Sequence, residues 1–493
     1  MKKNIYPALL VFIPLGIIFL VFFKHSYINL VRYSIIFFIA LAVPYCFFVK
    51  DPRKGLLIFL IEASILEGAW KTFTYGTPLK LLVYMIRDLL LYASFLNFLV
   101  NRKRILSEMT SETKPPLTMA IGLSLFNLAI SHFHPNVYSL PAALVGGRVY
   151  WEMMPLYVLG FYLMRDKKVL KIFFWVCVGC TFFNAIATIL QYYWGDTRVG
   201  QIAPGYNALI FDWHRGYSET EGFQRTLRPP GLGSDMGFAG FLFWPVVPMF
   251  ICLLFISRPR GMLKKKFAYI FLCCLCFIGI SGLVFSLSRT AIVLSALVGI
   301  TYLWLVKKDV NKILARLVLG AFLILFFLPY VFTKAELAAK RYQDIKTPKA
   351  IINTLFIEEK GRFETAFLYP LYAMQNYFFG NGLGRAGQVF HVFPNMPRPK
   401  TDTENSLNLS LTEIGAMGVF LLIFFQLRII RGGFRILRHI KHSELSWYAA
   451  VPLSCMIILL TQWQFGHIIN FPNNACLWFM AGVLMGIKHV QND

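Results

Sequence analysis

Five arginines lie in short segments rich in Gly, Ser or Pro, and they carry the strongest chemical signal in the sequence. They are Arg225, Arg228, Arg289, Arg362 and Arg385. A guanidinium group stays charged at any working pH and binds phosphate oxygens through two parallel hydrogen bonds. The set therefore predicts a site for a diphosphate, although each arginine taken singly is equally compatible with snorkelling to lipid headgroups. The Gly-Asn-Gly-Leu-Gly run before Arg385 could also cradle phosphate with backbone N–H groups.

Three carboxylates stand at or inside the apolar segment that begins near residue 406. Glu404, with Asp402 beside it, could act as a general base if it reaches a hydroxyl group. A negative charge at a helix N-terminus accounts equally well for Glu404. Glu413 lies inside the segment, where it is either functional or a structural hydrogen-bond partner.

The remaining ionisable residues in apolar segments are expected to pair with one another. They are Glu62, Glu67, Arg87, Asp88, Arg148 and Glu152. Arg148 and Glu152 stand one helical turn apart, which suits an ion pair. The histidines at 132, 134, 214 and 391 and the nine cysteines show no metal-ligand spacing, so we expect no metal, no cofactor and no disulfide framework.

Composition places all these residues in a membrane. Of the 493 residues 57% are hydrophobic and only 15% are charged, which excludes a soluble enzyme, a disordered protein and a nucleic-acid binder despite the net charge of +25. The sequence predicts an all-α polytopic membrane protein with about fourteen spans of about twenty residues each. The apolar runs are 5–23, 27–49, 55–75, 78–100, 115–133, 141–164, 169–194, 233–256, 267–287, 290–306, 313–332, 406–427, 447–468 and 473–487.

Basic residues follow every second apolar run, which predicts the orientation in the cytoplasmic (inner) membrane. We expect these connections, including Arg428–Lys441, and both termini to be cytoplasmic. Residues 1–332 then hold helices 1–11, residues 333–405 form a long extracytoplasmic loop, and residues 406–493 hold helices 12–14 of one membrane domain. The helical spacing of apolar residues 363, 367, 371, 374 and 378 predicts an amphipathic helix in the loop.

Four motifs in this order resemble the O-antigen ligase and polymerase family, which shares a Wzy_C-type region. They are Arg228-Pro-Pro-Gly-Leu-Gly233, Ser286-Leu-Ser-Arg289, Gly361-Arg362 with Gly382-Leu-Gly384, and Glu404-Asn405-Ser406-Leu407 leading to Leu411-Thr-Glu413-Ile-Gly415-Ala-Met-Gly418. A segment from Leu144 to Tyr157 is also similar to the family. The resemblance covers roughly residues 140–430.

The resemblance implies a metal-independent, inverting glycosyltransferase. Its donor and acceptor would be oligosaccharide repeats linked to polyprenyl diphosphate, polymerised into an O-antigen or exopolysaccharide at the outer face of the membrane. Arg225, Arg228, Arg289, Arg362 and Arg385 would bind the diphosphate, and Glu404 and Arg289 would be catalytic. Membrane lipids, a flippase and a chain-length regulator are further candidate partners, and nucleic acid is not.

Three other functions stay open at this point. Lipid A core ligases of the family typically carry His where this chain has Glu404, which favours a polymerase over a ligase that transfers glycan to a lipid or protein acceptor. A flippase for lipid-linked oligosaccharide would place its cations along a central cavity between two similar halves. A scaffold without catalysis would not need the outer arginines.

Overall fold

Helices dominate the described part of the chain. The computed structural model describes residues 27–107, 115–116, 118–203, 205–206, 217–218, 226–227, 229–233, 246–256, 263–306, 368–385, 405–441, 443–466, 468 and 471–490. Its first eight helices are α1 (Tyr27–Phe48), α2 (Pro52–Ile61), α3 (Glu67–Thr74), α4 (Leu79–Val100), α5 (Arg102–Ser107), α6 (Thr118–His132), α7 (Leu140–Trp151) and α8 (Pro155–Leu163).

The helices that follow are α9 (Lys167–Ile202), α10 (Val247–Ile256), α11 (Leu263–Phe285), α12 (Arg289–Val306), α13 (Tyr369–Asn376), α14 (Ser406–His439), α15 (Leu445–Phe465) and α16 (Asn473–Ile487). A π-helical turn, Glu62–Leu66, joins α2 to α3. Two strands of two residues each, Tyr217–Ser218 and Thr226–Leu227, pair antiparallel. Apart from this short pairing, the regular structure of the described residues is helical, as the sequence predicts.

Each predicted apolar run coincides with one or more helices wherever the structure describes it. Within the described ranges, five helices are long and apolar enough to cross a membrane: Val31–Phe48, Leu82–Val100, Lys167–Gly195, Ser406–His439 and Leu445–Gln464. Shorter apolar helices cover 121–132, 270–285, 291–306 and 473–487. The chain is therefore an α-helical membrane protein. The runs at 5–23 and 313–332 lie outside the described residues, and the count of fourteen stays a prediction.

Connections predicted to be cytoplasmic lie together at one end of the bundle where the structure describes them, near residues 50–53, 104, 166–167 and 444. Arg53, in the first turn of α2, is 3.6 Å from the Asp166 carboxylate that caps α9. Arg104 donates a hydrogen bond to the carbonyl of Lys50, 2.5 Å away. Glu444, before α15, accepts from Lys167 of α9 at 2.8 Å. This grouping agrees with the alternating topology; the assignment of that end to the cytoplasm remains a prediction.

The backbones of α8 and α16 approach each other closely within the core. A Cβ at Gly482 would lie 2.3 Å from the carbonyl oxygen of Tyr157, and one at Gly486 would lie 2.6 Å from that of Phe161. Small residues four apart let two helix backbones approach in the absence of a strong hydrophobic drive within lipid. The core therefore depends here on backbone proximity rather than on large side chains.

The basic segment after the twelfth predicted span is a helix and not a loop. α14 continues to His439, so the connection to α15 is only a few residues long. The helix persists because its second half packs one face on α15 and α16, with Gly433 against Leu484 and Leu453. The prediction of a cytoplasmic loop at Arg428–Lys441 was therefore wrong about the local structure.

The described part of the predicted amphipathic helix is helical as α13. Its buried residues are Pro370 and Ala373, whereas Leu371 and Met374, placed on the apolar stripe by the sequence, are 59% and 44% exposed. The stripe therefore faces away from the protein. An exposed apolar face is compatible with a helix that lies on the membrane surface. Residues 333–367 and 386–404 of the predicted loop lie outside the described part.

Cysteines introduced one at a time at the two ends of the bundle test the orientation. Tyr138 and Lys103 are both exposed but lie at opposite ends of the described bundle. A membrane-impermeant maleimide added to intact cells should label Tyr138→Cys and spare Lys103→Cys, because basic connections stay inside. The unmodified chain, with its nine cysteines, gives the background. If Lys103→Cys were labelled and Tyr138→Cys were not, the predicted orientation would be wrong.

Candidate functional site

A cluster of charged side chains lies between α3, α4 and α7, and we call it the ionic core. It consists of Glu62, Glu67, Lys71, Arg87, Asp88, Arg148 and Glu152. Arg87 occupies its centre, with its guanidinium 3.4 Å from Glu67, 3.5 Å from Asp88 and in contact with Glu152. The same guanidinium lies 4.1 Å from the ring centre of Phe471. Arg87 therefore ties three helices together.

The pairing predicted for these residues is confirmed for all of them except Glu62. Arg148 contacts Glu152, one helical turn away, at 2.9 Å and also contacts Asp88. Lys71, which the sequence analysis did not include, binds Glu67 at 2.6 Å. A charge buried in an apolar interior is tolerated only when it is paired and hydrogen-bonded. The ionic core accordingly supplies three carboxylate partners for Arg87, two for Arg148 and one for Lys71 among the described residues.

Glu62 differs from the other carboxylates of the ionic core. It is fully buried, and neither of its oxygens has a hydrogen-bond partner among the described residues. The core holds four carboxylates against three cations, so its formal charge is negative if every group is ionised. Glu62 opens the π-helical turn, and such turns are frequent at functional sites.

The segment that follows Arg228 is anchored beside the ionic core. The N–H of Gly231 donates to Gln191 at 2.8 Å, and the Gln191 amide donates back to the Gly231 carbonyl at 2.7 Å. Leu232 donates to the side chain of Asn184 at 3.0 Å and accepts from the N–H of Gly68 at 3.1 Å. Two residues of the motif, Gly231 and Leu232, thus form hydrogen bonds to two helices, α3 and α9.

The π-helical turn makes this anchoring possible. A π-turn leaves a carbonyl without its usual helical partner. The Ser64 carbonyl accepts from the Asn184 side chain at 2.7 Å, and the oxygen of the same side chain accepts from the N–H of Leu232. Asn184 therefore joins the widened helix to the segment after Arg228.

The Ser-Leu-Ser turn fixes the first residue of α12. Leu287 has φ of 55°, a left-handed conformation that is costly for a leucine. Ser288 caps the helix, since its hydroxyl accepts from the N–H of Ala291 at 3.4 Å. Strain of this kind persists only where the surroundings over-determine it, and it is concentrated at functional sites. The turn places Arg289 at the N-terminus of α12; the structure describes the backbone of Arg289 and not its side chain.

One turn of α9 holds both of these motifs. Gln191 binds Gly231, and the next two residues, Tyr192 and Tyr193, pack on Phe285 with ring centres 4.8 and 5.6 Å apart. Phe285 ends α11, immediately before the Ser-Leu-Ser turn. The same turn of α9 therefore contacts both the segment that follows Arg228 and the residue that precedes the Ser-Leu-Ser turn of Arg289.

The glycine run before Arg385 fills a break in α14. Gly415 has φ of 72° and ψ of 179°, which interrupts the helix. The N–H of Ala416 then bonds the carbonyl of Phe378 at 2.8 Å, and the carbonyl of Thr412 accepts from the N–H of Asn381 at 2.6 Å. Backbone groups freed within a membrane must find partners inside the protein. The run from 378 to 385 supplies them.

Glu413 is a structural anchor for the same run. One of its oxygens accepts from the hydroxyl of buried Tyr150 at 3.0 Å, and the other accepts from the N–H of Gly384 at 3.0 Å. Of the two interpretations left open by the sequence, these contacts favour the structural one. They also connect α14 to α7, the helix that carries Arg148 of the ionic core.

The proposed phosphate cradle in the glycine run is wrong for most of its amides. The N–H groups of Gly380, Asn381, Leu383 and Gly384 donate to Tyr377, Thr412, Ser131 and Glu413 respectively. A donor that is already bonded to the protein cannot also bind phosphate. The run instead positions Arg385, which is half-buried and whose Nε is buried without a hydrogen-bond partner among the described residues.

The N-terminus of α14 is capped by Asn405 and not by Glu404. The Asn405 side chain accepts from the N–H of Asn408 at 2.8 Å. The hydrogen-bonding cap is thus supplied by Asn405, and a favourable charge of Glu404 near the helix N-terminus stays a prediction. Glu404 itself, like Arg225, Arg228 and Arg362, lies outside the described residues, so their assignment to a site stays a prediction.

Several residues that organise the site were not found from the sequence. Gln191, Asn184 and Tyr150 are ordinary residues of apolar helices, and only their partners far along the chain reveal their function. Asn184 and Gln191 are seven residues apart and so lie on the same face of one helix. This spacing indicates only weakly that a single segment binds both side chains. Among the described residues, no group of three or more His, Cys, Asp or Glu side chains could hold a metal ion.

Loss of Arg87 should unfold the ionic core. Arg87→Met leaves Glu67, Asp88 and Glu152 with an uncompensated buried charge, so we expect a loss of about 3–5 kcal/mol in stability. The measurement is thermal unfolding in detergent. Arg198→Met, on exposed α9 surface, makes the same substitution without a buried partner and should change the Tm little. Equal shifts for both variants would contradict a central role for Arg87.

Crowding and strain at the glycine run can be separated with two glycines of similar backbone conformation. Gly384 and Gly76 have φ of 75° and 74°. A Cβ at Gly384 would lie 2.2 Å from the carbonyl oxygen of Ala142, whereas one at Gly76 would meet nothing within 4 Å. Gly384→Ala should therefore lower the Tm clearly more than Gly76→Ala, in which only the strain remains. Similar losses would mean that the run does not dock tightly.

The chain was compared with known proteins in three ways. No protein-family model matches it, no curated protein is significantly similar to it, and no solved structure matches it. The resemblance to the O-antigen ligase and polymerase family therefore depends on the sequence motifs alone. The geometry of these motifs is the structural support for a function.

Proposed function

We propose that the chain is a membrane glycosyltransferase that polymerises oligosaccharide repeats linked to polyprenyl diphosphate. The observation that supports it most is the meeting of two arginine motifs on Gln191–Tyr193 of α9. Cleavage of the anomeric C–O bond leaves negative charge on the departing diphosphate. Fixed cations directed at that charge stabilise the transition state without a metal ion.

The proposed site uses Arg225, Arg228, Arg289, Arg362 and Arg385 for the diphosphate and Glu404 as the base. A strained turn before Arg289 and a docked glycine run before Arg385 support this assignment, because both hold a backbone rigidly next to an arginine. Rigid positioning is what electrostatic catalysis requires, since donors that must reorganise lose part of their effect. Asn405 caps α14, and the assignment of Glu404 as the base depends on the sequence alone.

The sugar acceptor would be a hydroxyl on a second lipid-linked chain, and direct displacement would invert the anomeric centre. Glu404 would remove the proton from that hydroxyl. The reaction needs no cofactor and should take place at the outer face of the cytoplasmic membrane, with both termini of the chain on the other side. Transfer to a lipid or protein acceptor, as in a ligase, uses the same chemistry and differs only in the acceptor.

Arg289 is the most direct test of this proposal. In membranes or detergent, Arg289→Ala should abolish elongation of a lipid-linked repeat while the protein still inserts. The loss of two hydrogen bonds to phosphate at about 1.5–3 kcal/mol each predicts a rate lower by roughly two to four orders of magnitude. Arg289→Lys should rescue only part of the rate, because a point charge does not reproduce the guanidinium fork.

The control is Arg198→Ala, which removes an exposed arginine of α9 and should leave the rate unchanged. Chain length on gels and released polyprenyl diphosphate give the readout, with EDTA in a parallel reaction. Near-normal polymer from Arg289→Ala at equal protein level would reduce Arg289 to a headgroup anchor. Activity lost in EDTA and restored by Mg²⁺ would contradict the metal-free mechanism, and transfer without elongation would favour a ligase.

A further inference from the structure

Four arginines form a row along one face of the second half of α14. They are Arg428, Arg431, Arg435 and Arg438, and all four are exposed. Their spacing of three, four and three residues keeps them within a sector of about 80° on a helix with 3.6 residues per turn. The row extends over about 15 Å. We call it the arginine row.

The opposite face of the helix is fixed to the bundle. Ile429, Gly433 and Ile436 are buried there, and a Cβ at Gly432 would lie 3.0 Å from the Met485 side chain of α16. The helix cannot rotate about its axis without losing these contacts. The arginine row is therefore a permanent feature of the surface.

Immediately before the arginine row, the same face is apolar. Met417, Phe420, Phe424 and Leu427 repeat the spacing of three, four and three, and they are 52%, 61%, 39% and 47% exposed. Large apolar side chains that are exposed on a candidate membrane-spanning helix face lipid chains. One continuous face of α14 thus changes from apolar to cationic along its length.

Protein carboxylates do not neutralise the arginine row within the described part of the chain. None of its four arginines forms an ion pair with a described residue, and the guanidinium of Arg428 lies 5.9 Å from the ring of Phe424. Glu444, the acidic residue that follows in the sequence, binds Lys167 at 2.8 Å and Lys171 at 3.1 Å. Burial raises the pKa of Glu444, but these two ammonium groups outweigh it and lower that pKa overall. Glu444 is thus committed to the lysines.

We propose that the arginine row binds the phosphate groups of anionic phospholipids in the adjoining leaflet. The acyl chains of such a lipid would lie along the apolar stripe, and its phosphate would accept hydrogen bonds from the guanidinium forks. A free phosphate ion fits only the cationic half of this face. The pattern therefore matches a lipid with a charged headgroup better than a soluble anion, and it is independent of the glycosyltransferase site.

Lipid-dependent thermal unfolding tests the inference. The full-length protein in a neutral detergent is titrated with phosphatidylglycerol, with phosphatidylcholine or with inorganic phosphate. We expect phosphatidylglycerol to raise the Tm more than the other two additions, and 0.5 M NaCl to weaken this difference. Arg431→Gln combined with Arg435→Gln should remove at least half of the difference. The Tm of this variant in phosphatidylcholine shows that it folds.

The matched control removes two exposed lysines at the same end of the bundle, Lys50→Gln with Lys103→Gln, and should keep the phosphatidylglycerol effect. Three results with the lipids would overturn the inference. They are equal stabilisation by both lipids, an undiminished effect in the arginine variant, and an equal loss in the lysine variant, which would indicate general attraction to charge. Full stabilisation by inorganic phosphate alone would also contradict a lipid surface.

Discussion

The central constraint on this structure is the cost of holding charge in an apolar interior. Arg87 meets it by contacting three carboxylates from α3, α4 and the end of α7, and those helices are thereby fixed relative to one another. Removal of one partner leaves the others buried and unpaired, so the arrangement tolerates little variation. Two of the segments proposed to be functional reach these helices: Leu232 binds Gly68 of α3, and Gly384 connects through Glu413 to Tyr150 of α7.

The same requirement explains how the motifs are held. In lipid, each backbone group that leaves a helix must find a partner within the protein. The π-helical turn leaves the Ser64 carbonyl free to accept a hydrogen bond from the Asn184 side chain. The same side chain accepts from the N–H of Leu232, in the segment after Arg228. The break at Gly415 leaves the N–H of Ala416 and the carbonyl of Thr412 without helical partners, and both form hydrogen bonds with the run before Arg385. Irregular backbone is thus the means by which distant motifs are joined.

The sequence predicted the helical membrane architecture because apolar runs of span length leave few alternatives in lipid. It predicted the Arg148–Glu152 pair because helical spacing is visible along one chain. It failed at Arg428–Lys441, since charge is an equally good sign of a loop and of an exposed helix face. It could not show that Glu413 anchors Gly384, or that α9 joins two motifs, because neither contact leaves a periodic signal. Glu404 and three of the five arginines lie outside the described residues, so the sequence argument for them stands alone.

The broken helix also bears on the choice between a glycosyltransferase and a flippase. Transporters use discontinuous helices whose exposed ends bind the substrate at the centre of the membrane. In α14 the N–H of Ala416 and the carbonyl of Thr412 are already bonded to the run 378–385, so both groups are satisfied within the protein without a substrate. A Cβ at Gly415 would lie 2.4 Å from the nitrogen of Gly380, which shows how completely the run fills the break. A site that must alternate between two sides needs a break that opens. A break closed by several hydrogen bonds and by Glu413 instead suits a fixed scaffold that presents Arg385 to a substrate.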